Sequence, residues 1–437
     1  MKALGLDLGT TTISAVVAED AQVLTALTLK NDSFLSGTYS WERVQDPARI
    51  VAQALRAVQT LLETYPDVAC IGITGQMHGI VYLDGAGVPV SPLYTWQDGR
   101  GDQVYENGKT YAEYLSELTG HFLATGYGMV THFYNLKNGI VPENAAVFCA
   151  IQDYLAMVLT EKTVPVTDPS DAASFGMFQV EKGCFDVAAL EKAGVCPDLL
   201  PTIAEDPCVG LYRGRIPVYT AIGDNQASFL GATGGDIQAM LVNVGTGGQF
   251  SVYTKEFMEC GGLETRPFPG GFLLVGASLC CGRAYALLEG FLRETAQAMT
   301  GTAPESGYAA MEKLLSDGRP EDVPNLLPLF QGTRQEPSLR GSITGLSTEN
   351  FTPRHLIWAM LEGIAGELHG LYLKYEKTGG KTEKLIGSGN GLRKNPALQK
   401  LLSQKVGCEL LLSEQEEEAA YGASLYAQRF AEDGKVQ

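Results

Sequence analysis

Apolar Ala3, Leu4, Leu6 and Leu8 lead into Gly9-Thr10-Thr11-Thr12, and residues 13–18 lead out. This predicts two strands joined by a tight glycine–threonine turn. An amphipathic helix is predicted over 46–64. A short buried strand over 68–73 then ends in Thr74-Gly75-Gln76-Met77-His78-Gly79. Further helix signals include 152–159, and a strand over 218–222 runs into Gly223-Asp224-Asn225-Gln226 and a small-residue helix. The opening pattern then recurs. Residues 240–244 lead into Gly245-Thr246-Gly247-Gly248 and a strand over 249–253, so that Asp7 aligns with Asn243, Gly9 with Gly245 and Thr10 with Thr246. A like-for-like supersecondary unit at two places suggests two domains of similar topology; the competing reading is chance similarity of two short strand–turn–strand segments.

The second half reads as a helix over 283–299 and a helix over 353–374 with Trp358, Leu361, Ile364, Ala365 and Leu368 on one face. A strand over 384–386 enters Gly387-Ser388-Gly389-Asn390-Gly391, and a helix opens at Asn395-Pro396, where proline's missing N–H costs nothing. A strand over 409–412 and a helix over 416–429 close the chain. Alternating strands and helices make the fold class α/β. The GATGGD run at 231–236 breaks the pattern and gives expected domains of 1–233 and 234–437.

A length of 437 residues already favours two cores over one. The net charge of −18 argues against nucleic-acid binding through phosphate neutralisation. It also means that a phosphate site here needs backbone N–H groups and a metal ion, because spare Lys and Arg are scarce. Nine cysteines, odd in number and without a CxxC spacing, read as reduced thiols. The five histidines show no metal-ligand spacing. No leader pattern opens the chain and no apolar run approaches the ~20 residues of a membrane span, so a cytoplasmic protein is expected.

The turn after Asp7 sets a carboxylate at a strand end beside small hydroxyl residues. Gly9 lets backbone N–H groups approach a phosphate closely, and Asp7 would then serve a Mg²⁺ ion. The plainer reading is an Asp-Gly hairpin with a capping carboxylate. Asp224, at the end of a strand, has the placement of a general base for phosphoryl transfer to an alcohol, or that of a helix N-cap. Gln76-Met77-His78 and Trp96-Gln97-Asp98-Gly99-Arg100 offer apolar faces and hydrogen-bonding groups of the kind a sugar needs. Equally, His78 reads as a satisfied core histidine and Asp98–Arg100 as an ion pair within a turn. Gly387–Gly391 suits a flat base lying on backbone, though a plain loop is the commoner use. The segments ending in Gly108-Lys109-Thr110 and Gly380-Lys381-Thr382 are not phosphate loops of the Walker type. The glycine needed five positions earlier is Gln103 in one and Tyr375 in the other.

Taken in order, GLDLGTTT, GITGQMHG, WQDGR, TDPSDAAS, IGDNQASFLGA, NVGTGG, GSGNGLRKNPALQKLL and EEAAYGASLYA resemble the FGGY family of carbohydrate kinases over nearly the whole chain. The resemblance implies two ribonuclease H-like, actin-like domains with an interdomain active-site cleft, the first binding sugar and the second ATP. It implies Asp224 as catalytic base and Asp7 as the Mg²⁺-associated carboxylate. Gly9, Thr10, Thr11, Thr12, Gly245, Thr246 and Gly247 would hold phosphates, and Gly389, Asn390 and Asn395 would surround the adenosine. Gln76, Met77, His78, Trp96, Asp98, Arg100 and Asn225 would face the sugar. The MHG and WQDGR segments resemble the ketose kinases of the family, and LLVGASLCCGRAYALLEGFLRE resembles its bacterial sedoheptulokinases. The implied reaction is ATP-dependent phosphorylation of a primary hydroxyl, sedoheptulose to its 7-phosphate in the first place, with xylulose or another sugar or polyol as the alternative. No nucleic-acid or membrane partner is implied, and a homodimer is compatible with the resemblance. An actin-like ATPase without sugar kinase activity is the reading from a different class. Where the family often has three glycines, this chain has Gly387-Ser388-Gly389, and serine is expected to be tolerated.

Overall fold

The computed structural model describes residues 1–302, 304–333, 336 and 338–433. The chain divides into two compact units. The first comprises Met1–Gly235, Arg266–Gly270 and Gln415–Gln437; the second comprises Asp236–Thr265 and Gly271–Glu414.

The first unit is built on a six-stranded sheet. Its strands are β1 (Lys2–Leu8), β2 (Thr12–Glu19), β3 (Gln22–Lys30), β4 (Cys70–Gly75), β5 (Cys208–Tyr212) and β6 (Ile216–Gly223), in the spatial order β5-β6-β4-β1-β2-β3. The expected opening hairpin is β1–β2, and β3 extends it as an antiparallel meander. The pairs β1–β4 and β4–β6 are parallel. Parallel strands need crossovers, and helices supply them. One is α1 (Pro47–Thr64), capped by the Asp46 side chain and entered through proline at its first turn. Its apolar face, with Ile50, Ala54, Val58 and Leu61, packs on Leu4, Leu6, Ile71 and Ile73 of the sheet. Helices α2 (Ile151–Leu159), α3 (Pro169–Phe175) and α4 (Asp224–Ala232) complete the part that concerns the site.

The second unit repeats the plan. Strands β7 (Met240–Val244), β8 (Gly248–Thr254), β9 (Glu264–Phe268, of which Glu264 and Thr265 count with this unit), β10 (Gly271–Ser278), β11 (Leu385–Ser388) and β12 (Leu410–Leu412) lie in the order β9-β10-β8-β7-β11-β12. Again an antiparallel set, β7–β8–β10, is followed by parallel neighbours, β11 and β12. Helices α5 (Gly282–Thr300), α6 (Tyr308–Ser316), α7 (Pro353–Glu376) and α8 (Pro396–Val406) accompany this sheet. The predicted face of α7, with Trp358, Leu361, Ile364, Ala365 and Leu368, is buried in this unit's core.

A division into consecutive blocks at 233/234 does not describe where the last segment sits. The closing helix, Glu418–Asp433, belongs to the first unit, against α4, β1 and β4. The approach is backbone to backbone. A Cβ built at Gly422 falls 1.7 Å from the Ala227 carbonyl oxygen, and one built at Gly231 falls 1.8 Å from that of Glu418. Toward the sheet, a Cβ at Gly5 falls 1.9 Å from the Ala420 oxygen. No side chain fits such gaps, so the helix must move if one is added. Gly422→Ala is expected to destabilise the first unit by about 3 kcal/mol through overpacking. Gly290→Ala, in α5 with open space around it, is expected to be neutral or stabilising by up to ~1 kcal/mol. Urea unfolding of the two variants decides it; equal midpoints would refute the close-contact account.

Candidate active site

Strand register assembles the first unit's polar cluster. Asp7 stands opposite Thr74, Leu8 opposite Gly75, and Gly75 opposite Gly223. The ends of β1, β4 and β6 therefore lie side by side, where α/β proteins collect functional groups. Gly223 is the N-cap of α4, with no side-chain cap bond, so Asp224 is the first helical residue and does not cap the helix. The Asp224 Oδ1 accepts from Asn225 Nδ2 at 2.9 Å, and the same amide nitrogen lies 3.9 Å from Met77 Sδ. Met77 is buried over Gly223, where an added Cβ would meet its sulfur at 2.8 Å.

The turn after β1 is held by side chains from other elements. Asn31 Nδ2 donates to Gly9 O and Gln45 Nε2 to Thr10 O, each at 2.9 Å. Thr10 Oγ1 donates to Gln76 Oε1 at 3.2 Å and accepts from Trp96 Nε1 at 3.0 Å. Gln76 is itself tied to Gln45 Oε1 at 2.9 Å and is buried. Thr11 and Thr12 point outward and are exposed. His78 has φ +72°, uncommon for any residue but glycine, and is held there by Ser174 and by stacking on Tyr127 at 4.5 Å.

In the second unit the hairpin at Gly245–Gly248 meets the start of α5. Gly282 N donates to Gly245 O at 3.1 Å, and Arg283 N to Thr246 O at 3.0 Å. Asn243 Nδ2 donates to Ser388 Oγ at 2.5 Å, so serine at this position of the glycine-rich turn has a partner. Gly389 has φ +83°, and a Cβ there would fall 2.5 Å from the Val244 carbonyl oxygen. A cavity of about 1480 Å³ opens beside these turns. Gly245, Thr246, Gly389, Asn390 and Asn395 line it, with apolar Tyr285, Leu315, Leu361 and Ile364 and basic Arg283 and Lys394; Gly247 is not among the lining residues. Asn395 also caps α8 by accepting from Leu398 N. An apolar slot beside backbone turns and two cations is a fit for a nucleotide.

The N-terminal-domain model of the FGGY family of carbohydrate kinases matches residues 2–231, and the C-terminal-domain model matches 240–430. The chain belongs to the FGGY family. It is similar to the sedoheptulokinase of Mus musculus, 29% identical over 97% of this chain and 96% of that protein. Among solved structures it is similar to the xylulose kinase from Rhodospirillum rubrum, with TM-score 0.81, 23% identity and coverage of 99% and 91%. It is also similar to the Plasmodium falciparum glycerol kinase with ADP, with TM-score 0.79, 19% identity and coverage of 99% and 90%. The protein is thus a carbohydrate kinase, a phosphotransferase with the two-domain α/β fold of its family. Among the described residues no helix is long and apolar enough to cross a membrane.

For a FGGY kinase the electrostatics at the end of β1 are informative. The Asp7 carboxyl is pushed up to about 7, chiefly by burial and then by the charges of Asp224 and Glu417. Burial also raises Asp224, opposed by its bond from Asn225 and the charge of Arg266. Among the described residues no group of three or more His, Cys, Asp or Glu is arranged to hold a metal. Mg²⁺ keeps several waters and takes one or two carboxylates, so Asp7 with Asp224 fits that ion without a cage.

Two expected sugar ligands are in a different situation. Asp98 and Arg100 are buried and paired, with Arg100 Nε donating to Asp98 Oδ1 at 2.6 Å. Asp98 Oδ2 also accepts from Arg43 N at 3.0 Å, and Arg100 donates to Asn135 Oδ1. The guanidinium lies over Tyr94, 4.1 Å from its centroid. This is the ion pair within a turn, and both side chains are buried; of that segment Trp96 and Gln97 are exposed. The residues that hold the site but escaped the sequence reading are Asn31, Gln45, Ser170, Ser174, Arg266 and Glu417. Of these, Ser170 and Ser174 carried a signal inside TDPSDAAS, and Glu417 carried one inside EEAAYGASLYA.

Between the ordinary carboxylate range near ~4 and the folded value, the unfolded chain loses the Asp7 proton first. Folding stability therefore falls as pH rises through that window, and removing the charge relieves it. In metal-free buffer Asp7→Asn is expected to raise stability by about 2 kcal/mol near pH 8 and to leave it unchanged near pH 4. A pH-independent effect in urea titrations would refute this. Asp98→Ala, which strands a buried guanidinium, is expected to cost about 3–5 kcal/mol of stability. A soluble Asp98→Ala protein of native stability with only a raised sugar KM would restore Asp98 as a ligand.

Proposed function

We propose that this carbohydrate kinase transfers the γ-phosphoryl group of ATP to a primary hydroxyl of a ketose, sedoheptulose first among them. The observation that carries the reading is Asp224 at the end of β6, aligned by register with the end of β1 and oriented by Asn225. In this reaction the hydroxyl oxygen attacks the γ-phosphorus, Asp224 takes the hydroxyl proton, and ADP leaves with the electrons of the broken P–O bond. The upward pull of burial on Asp224 raises its proton affinity toward that of a useful base, while Asn225 and Arg266 keep the ionised form available.

The sugar is bound by the first unit, where His78 and Asn225 offer hydrogen bonds and exposed Trp96 offers an apolar face. Gly9 to Thr12 in the first unit contact phosphate through their turn. The nucleotide is held by the second unit's cavity, with the base against Leu361 and Ile364 and the phosphates toward Gly245, Thr246 and Arg283. Asp7 would hold Mg²⁺, directly or through water, and the ion would neutralise phosphate charge. The choice of sedoheptulose is supported by the 29% identity to the mouse sedoheptulokinase along both chains.

The test is an ADP-release assay over sedoheptulose, D-xylulose, glycerol and gluconate. The highest kcat/KM is expected for sedoheptulose; a higher value for another compound moves the substrate. Rapid ATP hydrolysis with no sugar stimulation would favour an ATPase without kinase activity. Asp224→Asn is expected to lower kcat at least about a hundredfold. Near-native turnover in that variant removes Asp224 from the chemistry.

A further inference from the structure

Helix α3 is seven residues long and touches both halves of the proposed sugar-and-base site. Ser170 and Ser174 are four apart, hence on one face of it. Ser170 Oγ accepts from Gly223 N at 3.0 Å, at the residue immediately before Asp224. The same hydroxyl donates to Asp168 Oδ1 at 2.5 Å, and Asp168 also caps the helix by accepting from Ser170 N at 2.8 Å. With its proton committed to Asp168, the hydroxyl meets Gly223 as an acceptor. One turn on, Ser174 Oγ accepts from His78 N at 3.1 Å, and Ser174 O lies 2.6 Å from His78 Nδ1. A carbonyl only accepts, so in the neutral ring the proton is on Nδ1 and Nε2 is the acceptor. Both serines are buried, and Gln152 Nε2 anchors the helix to α2 through both Asp171 oxygens at 3.0 Å.

We infer that α3 is a positioning helix: Ser170 sets the turn that aims Asp224, and Ser174 sets the backbone and ring of His78. The inference rests on the reading of Asp224 as the base and His78 as a sugar contact. A left-handed His78 is held only while its surroundings fix it, and Ser174 supplies two of those contacts. The serines touch neither sugar nor nucleotide in this assignment. They act through Gly223 and His78, and a displacement of about 1 Å is enough to matter for turnover. Because Ser170 serves the reacting end and Ser174 the binding end, their losses separate into kcat and KM.

The experiment is steady-state kinetics on the full chain, with sedoheptulose and D-xylulose as probes and thermal midpoints recorded alongside. Ser170→Ala is expected to lower kcat about tenfold with the sugar KM within about twofold. Ser170→Thr, which keeps the hydroxyl, should recover most of that loss. Ser174→Ala is expected to raise the sugar KM about tenfold with kcat within about twofold. If Ser170→Ala does not fold, Ser170→Cys carries the same expectation, since it nearly keeps the volume and loses most of the acceptor strength. The inference is overturned if the folded Ser170 variant keeps native kcat, or if both serine variants lose activity only in step with thermal stability. Asp224→Asn separates the two levels: native turnover there refutes the base itself, whereas a collapsed kcat beside an unmoved Ser170→Ala refutes only the positioning role.

Discussion

The first unit depends on one steric condition: the closing helix must lie with its backbone directly on the backbone of α4 and on β1. Gly422, Gly231 and Gly5 meet carbonyl oxygens at distances that exclude even a methyl group. Contact this close leaves no freedom in how α4 is tilted, and α4 begins at Asp224. Polar bonds fix the same helix along its length. Tyr426 and Thr220 share a hydroxyl contact of 2.7 Å, and Gln428 Nε2 donates to Met1 O at 2.7 Å. Just before the helix, Glu417 Oε1 accepts from Thr28 Oγ1, also at 2.7 Å. Glu417 and the closing helix thus hold the strands and helix from which the proposed base and metal carboxylate project, across a large sequence separation.

Charge is distributed over this frame in two opposite ways. At Asp98–Arg100 each charge has its counter-charge, so burial leaves nothing for a ligand. At Asp7 and Asp224 two carboxylates are enclosed near one another, with Glu417 also bearing on Asp7. Enclosing like charges costs free energy, and a fold keeps such an arrangement where a cation or a proton is to be taken up. Each pair contains an aspartate within two residues of a glycine in the sequence, and it is the counter-charge that separates their roles.

That contrast explains what the sequence disclosed. Strand–turn–strand units at Asp7 and Asn243 were legible because apolar alternation and glycine–threonine turns are local signals. The extent of α1 followed from its apolar periodicity, and the Pro396 start from proline's fit to a first helical turn. The place of the closing helix was not legible, because an interface in which glycines meet the carbonyls of Ala227, Glu418 and Ala420 is made by backbone rather than by side chains. For Asp98 and Arg100 residue type left a sugar ligand and a turn ion pair both open, and the contacts with Tyr94 and with Arg43 and Asn135, distant in sequence, were not legible. Ser170 and Ser174 stayed hidden for a related reason: each acts on a backbone N–H elsewhere, and side-chain-to-backbone bonds do not require a distinctive residue at the far end.

The repeat also shows where the two units part. In the first, Asp7 stands opposite Thr74; at the equivalent place in the second, Asn243 stands opposite Ser388. The geometry is retained while the carboxylate becomes an amide, and Asn243 satisfies itself on the Ser388 hydroxyl. An amide carries no charge to repel phosphate and binds a hard cation less strongly than a carboxylate does, and the cavity beside the second unit's turns is lined by Arg283 and Lys394. One supersecondary plan therefore carries a carboxylate in the unit proposed to supply the base and the metal ligand, and an amide in the unit whose cavity is proposed to hold the nucleotide.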